Sequence, residues 1–215
     1  LLGLPFAFAH HFSAANTLPA LALYRQHFRP SDVLDRPYAM VAAAVVCAET
    51  DERARFLAGS GALSFLRLRS GRPGPLPSPE EAAAYPYNEM ERAFVEDRLA
   101  TQIVGAPDTV QRGIADLVDA AQADELMITT MVYDPADRLS SFERVAALVE
   151  KLPSVRKVVI VPHLDPKVDV SEIPKAVTLG EWLRRYTPAD IAFAQLSFDH
   201  PVFILFTSGT TGKPK

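Results

Sequence analysis

The segment from Tyr38 to Ala48 constrains the fold more than any other part of this sequence. Every residue in it is apolar, and the segment is too short to cross a bilayer as a helix. Continuous apolar character over such a length is typical of a strand buried on both faces of a parallel sheet. Two shorter runs, Leu4 to Ala9 and Leu126 to Val132, predict further strands.

Helical segments lie between and after these runs. We predict a helix from Asn16 to Phe28 with Leu18, Leu21, Tyr24 and Phe28 facing inward, and a helix capped by Thr50. Pro107 is placed to open another helix, and the pair Ser140 and Glu143 reads as a capping box that starts a last one. This alternation predicts an α/β fold with helices covering a parallel sheet, and three strands alone would leave exposed edges.

Charge is distributed unevenly along the chain. Residues 1–150 contain thirteen Arg, no Lys and twenty acidic residues, whereas residues 151–215 contain six Lys, three Arg and six acidic residues. Domains of one protein often differ in charge, but a shift this sharp also predicts a junction near Glu150 and Lys151. We therefore predict two domains, 1–150 and 151–215.

Composition argues against several classes of protein. The single cysteine, Cys47, lies in an apolar strand, which excludes a disulfide framework and favours a buried structural thiol. No basic segment precedes Leu1 to Ala9, so no secretory signal is expected. The sequence shows no membrane span and no basic, aromatic-rich face for nucleic acid. We expect a cytoplasmic protein that acts on small molecules.

The C-terminal stretch is the segment whose residue types indicate one chemistry. An apolar run from Pro201 to Phe206 predicts a strand, and hydroxyl, glycine and lysine residues follow it directly. Such a loop suits a polyphosphate, although Pro214 and the absence of a first glycine exclude a Walker A loop. The predicted phosphate-binding residues are Thr207, Ser208, Gly209, Thr210, Thr211, Gly212 and Lys215.

Four segments occur in an order typical of one known family: Gly3 to Phe12, Arg36 to Glu52, Val104 to Val110 and Ala123 to Met127. On these segments, residues 1–147 resemble the C-terminal half of the luciferase-like flavin-dependent monooxygenases. The resemblance implies the last three strands of a (β/α)8 barrel, with FMN or a related deazaflavin as cofactor. One departure is Ala106, which stands where the family has a Ser or Thr helix cap, so a helix start weaker by roughly 1 kcal/mol is expected.

Barrel active sites lie at the C-terminal ends of the strands. The resemblance therefore implies a pocket that includes Phe8, the pair His10 and His11, and Thr130, with Cys47 and Met131 nearby. His10 and His11 are the candidates for proton transfer or flavin contact. Adjacent histidines on an extended segment point in opposite directions, and no third ligand accompanies them at metal spacing. No metal site is expected.

Three segments of the C-terminal part match a second family: Leu152 to Pro162, Phe198 to Pro201 and the predicted phosphate loop. On these segments, residues 151–215 resemble an internal piece of the acetoacetyl-CoA synthetases, which are adenylate-forming enzymes. The resemblance implies a partial adenylate-forming α/β domain that uses ATP with Mg²⁺ and coenzyme A. Thr178 and Glu181 predict a capping box within it.

Three hypotheses follow. The first is a monooxygenase fragment joined to a ligase fragment, inactive as an isolated chain, whose join is either a natural fusion or an artefact. The second is a bifunctional enzyme seen in part, whose intact parents could be oligomers. The third is a non-catalytic nucleotide-binding module.

Overall fold

The computed structural model of this protein describes residues 3–152, 155–161 and 169–187. The predicted strand from Pro201 to Phe206 and the predicted phosphate loop lie outside the described residues. Within these ranges, none of the helices combines the length and the apolar character needed to cross a bilayer.

The main sheet of the described residues is parallel, as the sequence predicts. Its strands are β1 (Phe6–Phe8), β2 (Ala39–Cys47), β3 (Ile103–Gly105) and β4 (Glu125–Thr129). The central strand, β2, pairs on its N-terminal part with β1 and β4 and on its last three residues with β3. The strand β3 was not expected, because only three residues of it join the sheet.

Helices cover one face of this sheet more fully than the other. On β2 the side chains of Ala39, Val41, Ala43 and Val45 are buried, while those between them are only half-buried. On β4 the residues alternate between exposed and half-buried. The expectation of a strand buried on both faces therefore holds for residues 45–47 of β2, whereas residues 39–44 are buried on one face and half-buried on the other.

Six helices belong to the sheet-containing part of the described chain. Leu21 of the first packs with Ala39 and Val41, while Val110, Ile114 and Val145 of the last two pack with Val45. The second, third and fourth helices form a separate core against the C-terminal end of β2. The helices are α1 (Thr17–His27), α2 (Asp51–Arg69), α3 (Pro79–Ala84), α4 (Glu89–Ala100), α5 (Pro107–Ala121) and α6 (Pro135–Ala147).

Two sequence-based predictions about helices were wrong. Leu18 is 49% exposed, whereas Leu21 and Tyr24 of the same helix α1 are buried as predicted. The last helix begins at Pro135 rather than near Ser140, because the Asp134 carboxylate accepts a hydrogen bond from the Ala136 N–H at 2.7 Å and proline suits the first helical position. Thr50, by contrast, caps α2 as predicted.

The start of α5 is stabilised from another helix. Ala106 offers no side-chain cap, as expected, but its backbone N–H donates to Asp51 Oδ1 of α2 at 2.7 Å. Gly105 makes this approach possible, since a Cβ there would lie 2.5 Å from Asp51 Oδ1. The Ala106 N–H, and after it the Thr109 side chain, lower the pKa of Asp51. The positive end of the helix dipole at the N-terminus of α5 also stabilises the Asp51 carboxylate.

A small parallel sheet follows the main one. It consists of β5 (Val158–Ile160) and β6 (Ala176–Thr178), and a short helix, α7 (Leu179–Leu183), comes directly after. The predicted capping box is confirmed, since Thr178 and Glu181 exchange side-chain and backbone hydrogen bonds. Leu152 and Val155, on the C-terminal side of the predicted junction, pack with Val145 in the core under the main sheet.

Candidate functional site

The candidate site lies where the main strands end. A turn from Ala9 to Ser13, here called the histidine turn, follows β1 and is closed by hydrogen bonds from Phe12 and Ser13 to the Ala9 carbonyl. Thr130 follows β4, and its hydroxyl donates to the Val45 carbonyl at 2.8 Å. In a parallel sheet all C-terminal strand ends meet at one edge, so both segments are at the edge where ligands bind in α/β folds.

His11 is fixed against the central strand. Its backbone N–H donates to the Ala42 carbonyl at 3.0 Å, and its ring Nδ1 lies 2.9 Å from the same oxygen. A carbonyl oxygen only accepts hydrogen bonds, so Nδ1 carries the proton in this contact. In the neutral ring this leaves Nε2 as the acceptor nitrogen. The ring also contacts Phe12, with ring centres 4.8 Å apart.

His10 is held in a different environment. Its Nδ1 lies 2.9 Å from Thr17 Oγ1, and Thr17 is 1% exposed at the start of α1. Burial, and after it the neighbouring charge of His11, lower the pKa of His10, while a backbone contact with Thr101 opposes them. Because the ordinary histidine pKa is about 6.5, His10 is neutral at neutral pH.

Arg98 of α4 fastens the histidine turn to the helices. Its Nη1 donates to the His11 carbonyl, and its guanidinium carbon lies 4.2 Å from the centre of the Phe65 ring in α2. Burial lowers the pKa of Arg98, and its Nε is buried without a hydrogen-bond partner among the described residues. No local pattern of residues points to Arg98, because the packing of α4 against the turn is a tertiary contact.

Aromatic rings surround the Arg98 contact. Phe65 stacks on Phe94 with ring centres 6.0 Å apart and 7° between the planes, and Phe12 meets Phe65 edge-on at 6.3 Å. Phe12 is 64% exposed. These rings make one side of the histidine turn apolar, which suits a flat aromatic ligand.

The remaining predicted site residues are spread over the edge. Phe8 is half-buried, with its ring 6.3 Å from that of Phe6, and Met131 is 58% exposed. Thr130, which follows β4, donates a hydrogen bond to the Val45 carbonyl of β2. His11, which follows β1, donates to the Ala42 carbonyl of β2 instead. The structure thus brings His10 and His11 together with Thr17 and Arg98, and holds Thr130 in a separate contact.

Cys47 is a structural residue. It is buried at the end of β2, and its backbone N–H donates to Ser141 Oγ of α6 at 2.9 Å. Burial raises the pKa of its thiol. A protonated, enclosed thiol is a poor nucleophile, and the burial of Cys47 agrees with the predicted buried thiol. Within the described part of the chain, no group of three or more His, Cys, Asp or Glu residues is arranged to hold a metal ion.

Two bacterial proteins resemble the chain over about two thirds of its length. The chain is 37% identical over 151 residues to a luciferase-like monooxygenase of Escherichia coli, covering 70% of this chain and 45% of that protein. The chain is related to luciferase-like monooxygenases. It is also 48% identical over 145 residues to the uncharacterized protein YvbT of Bacillus subtilis, covering 67% of this chain and 43% of YvbT. This chain therefore spans less than half the length of these curated relatives.

The fold is similar to that of a solved structure. The crystal structure of apo-MsnO8 superposes with a TM-score of 0.61 and 31% identity, covering 69% of this chain and 46% of that one. This likeness supports the mixed α/β architecture with its parallel sheet. No protein-family model matches the chain.

A further relative belongs to a different class of enzyme. The chain is 35% identical over 133 residues to acetoacetyl-CoA synthetase of Mus musculus, covering 56% of this chain and 20% of that enzyme. The shares of this chain covered by YvbT and by the synthetase add up to more than its whole length, so the two matches overlap. The synthetase match therefore extends before residue 151, and the boundary near Glu150 remains a prediction.

Proposed function

We propose that the first part of this chain is the C-terminal part of a luciferase-like flavin-dependent monooxygenase, and that the histidine turn lines its flavin pocket. The observation that carries the proposal is the histidine turn itself, since it lies at the C-terminal edge of a parallel sheet in a chain related to these enzymes. Under this proposal β1, β2 and β4 are the last three strands of a (β/α)8 barrel. Phe8, His10, His11 and Thr130 then lie at the edge of the barrel where the cofactor binds.

The proposed cofactor is FMN or a related deazaflavin. When bound, the flavin supplies the redox chemistry with molecular oxygen, and the protein supplies a dry, shaped pocket. The residues present fit such a ring system, since the exposed Phe12 and the stacked Phe65 and Phe94 offer apolar surface beside His11. The substrate is a small molecule.

The isolated chain is proposed to be inactive, because one face of its parallel sheet is only partly covered. Half a barrel cannot enclose a ligand. A fusion tests this directly, with the N-terminal part of Bacillus subtilis YvbT placed before residue 3 of this chain. We expect the fusion to quench FMN fluorescence saturably at micromolar protein and the isolated chain not to. A folded fusion that fails to bind FMN and deazaflavin would refute the proposed function.

A second candidate function concerns residues 151–215. We propose that this part is an internal piece of an acetoacetate–CoA ligase, in which residues 207–212 and Lys215 would hold the phosphates of ATP with Mg²⁺. In that reaction acetoacetate displaces pyrophosphate from ATP to give an acyl-adenylate, and the thiol of coenzyme A then takes the acyl group and releases AMP. The similarity to acetoacetyl-CoA synthetase supports this proposal. Since the match covers 20% of that enzyme, we expect no ATP–pyrophosphate exchange with acetoacetate. Exchange at ordinary enzymatic rates would show that the piece is competent.

A nucleotide-binding module without catalysis predicts a different result. It would bind ATP measurably in calorimetry, and the binding would be lost when Gly209 and Gly212 are both replaced by valine. We propose that such binding is weak, because a phosphate loop needs surrounding walls to exclude water and orient the ligand.

A further inference from the structure

The two adjacent histidines differ in which ring nitrogen is available. We propose that His11 is the member of the pair that presents a nitrogen to a ligand, that His10 is a structural histidine, and that Arg98 is the positioning residue for His11. Only the identity of the ligand, a hydrogen-bond donor of the flavin, rests on the proposed function. The difference between the roles of His10 and His11 is argued from contacts within this chain and does not depend on the proposed function.

The backbone and the ring of His11 share one hydrogen-bond acceptor. The backbone N–H and the ring Nδ1 both approach the Ala42 carbonyl, at 3.0 and 2.9 Å. These two bonds fix the ring relative to β2 and hold its proton on Nδ1. Nε2, on the opposite side of the ring, then accepts hydrogen bonds or attacks an electrophile. No hydrogen bond from the described residues occupies Nε2 in the structure.

His10 is held by a buried side-chain hydroxyl instead. Thr17 Oγ1 engages its Nδ1 at 2.9 Å, and the buried position of Thr17 keeps water from replacing this contact. The Thr101 backbone lies near the ring and favours its protonated form. His10 therefore connects the histidine turn to α1 on one side and to the segment after α4 on the other.

Arg98 has a feature that a purely stabilising arginine would lack. It is half-buried and stacked on Phe65, yet it is absent from the ion pairs formed by the described residues. Burying a cation without a carboxylate is unfavourable unless another interaction compensates. Its defined polar contact is the His11 carbonyl, and this contact fixes the backbone from which the His11 ring extends.

The test is chemical labelling of the complete 215-residue chain with diethyl pyrocarbonate, followed by fragment-ion mapping of His10 and His11. At a neutral imidazole, a new N–C bond forms at the unprotonated nitrogen as the anhydride C–O bond breaks. Ethyl carbonate departs, and the ring releases its other proton to solvent. His27, which is exposed at the end of α1, serves as the internal reference.

We expect His11 to react at a rate close to that of His27, and His10 to react about tenfold more slowly because a hydrogen bond must open first. Thr17→Val should accelerate His10 toward the rate of His11. Ring ¹⁵N spectra of the unlabelled chain should show a protonated Nδ1 and an unprotonated Nε2 for His11. Equal labelling of the two histidines, or a protonated Nε2 on His11, would overturn the assignment.

Two arginine variants test the positioning role. Arg98→Lys keeps the charge but loses the planar fork, so the ¹⁵N signature of His11 should shift toward a mixture of both tautomers and its labelling advantage over His10 should fall. Arg92→Lys is the matched control, since Arg92 is on the same helix and lies 6.0 Å from the Tyr87 ring. A folded Arg98→Lys protein with unchanged His11 spectra would refute the role of Arg98. Failure of the fusion to bind FMN would leave these results unaffected, so the two proposals fail separately.

Discussion

A buried hydroxyl shows how a single residue connects the main sheet to its last helix. Ser141 is fully buried and accepts a hydrogen bond from the Cys47 backbone N–H at 2.9 Å. Ser141→Ala leaves that N–H buried and unpaired, so we expect the free energy of unfolding to fall by about 1–3 kcal/mol. Ser140→Ala is the control and should change it by less than about 0.5 kcal/mol. Urea titration monitored by circular dichroism measures both, and equal losses would contradict the assignment.

His10 gives the stability of the chain a dependence on pH. Its pKa is lower in the folded chain than the ordinary value of about 6.5, so the unfolded chain binds the proton more tightly. The contribution of His10 to stability therefore decreases as the pH falls through the unfolded pKa and levels off below the folded one. We expect His10→Gln to flatten the unfolding free energy between pH 7 and 5, relative to His27→Gln. Identical pH profiles for the two variants would contradict this prediction.

At the scale of elements, one helix is capped by another. Asp51 accepts the Ala106 N–H, and its lowered pKa means that this contribution is present above the unfolded carboxyl pKa and is lost as the pH falls through the folded value. We expect Asp51→Asn to lower the melting temperature more at pH 7 than at pH 3. Glu52→Gln, in the same first turn of α2, should show no such difference.

Gly105 provides an independent check on the same contact. A methyl group at this position would lie 2.5 Å from Asp51 Oδ1 and 2.6 Å from the Thr109 methyl carbon. Gly105→Ala should therefore lower the melting temperature, whereas Gly74→Ala, where a Cβ would meet nothing within 4 Å, should not. If both changes have the same effect in thermal unfolding, the close approach of α2 and α5 is wrong.

Local patterns predicted the elements better than they predicted the site. Each of three confirmed predictions depends on a few neighbouring residues only. They are the apolar segment that forms β2, the Thr50 cap and the Thr178 capping box. The start of α6 was misplaced because Ser140 and Glu143 also fit a capping box. Contacts such as Arg98 with His11 and Asp51 with Ala106 join residues far apart in sequence, so no local pattern reveals them.

At the scale of the whole molecule, helices of the described chain cover one face of the main parallel sheet more fully than the other. Met40, Ala42 and Ala44 on the other face of β2 are half-buried, and Met127 of β4 is 48% exposed. The chain also spans less than half the length of YvbT and of the Escherichia coli luciferase-like monooxygenase. Both observations are consistent with the proposal that a flavin pocket needs further strands, which the YvbT fusion is designed to supply.

The most direct measurement of the central claim is an FMN titration of that fusion with two matched substitutions. His11→Ala removes a side chain at the C-terminal edge of the sheet, and Glu125→Ala removes one at the opposite edge, where β4 begins. We expect His11→Ala to weaken FMN binding by about tenfold, in line with the loss of one hydrogen bond, and Glu125→Ala to leave it unchanged. Equal affinity in both folded variants and the unsubstituted fusion would contradict a flavin site at the histidine turn.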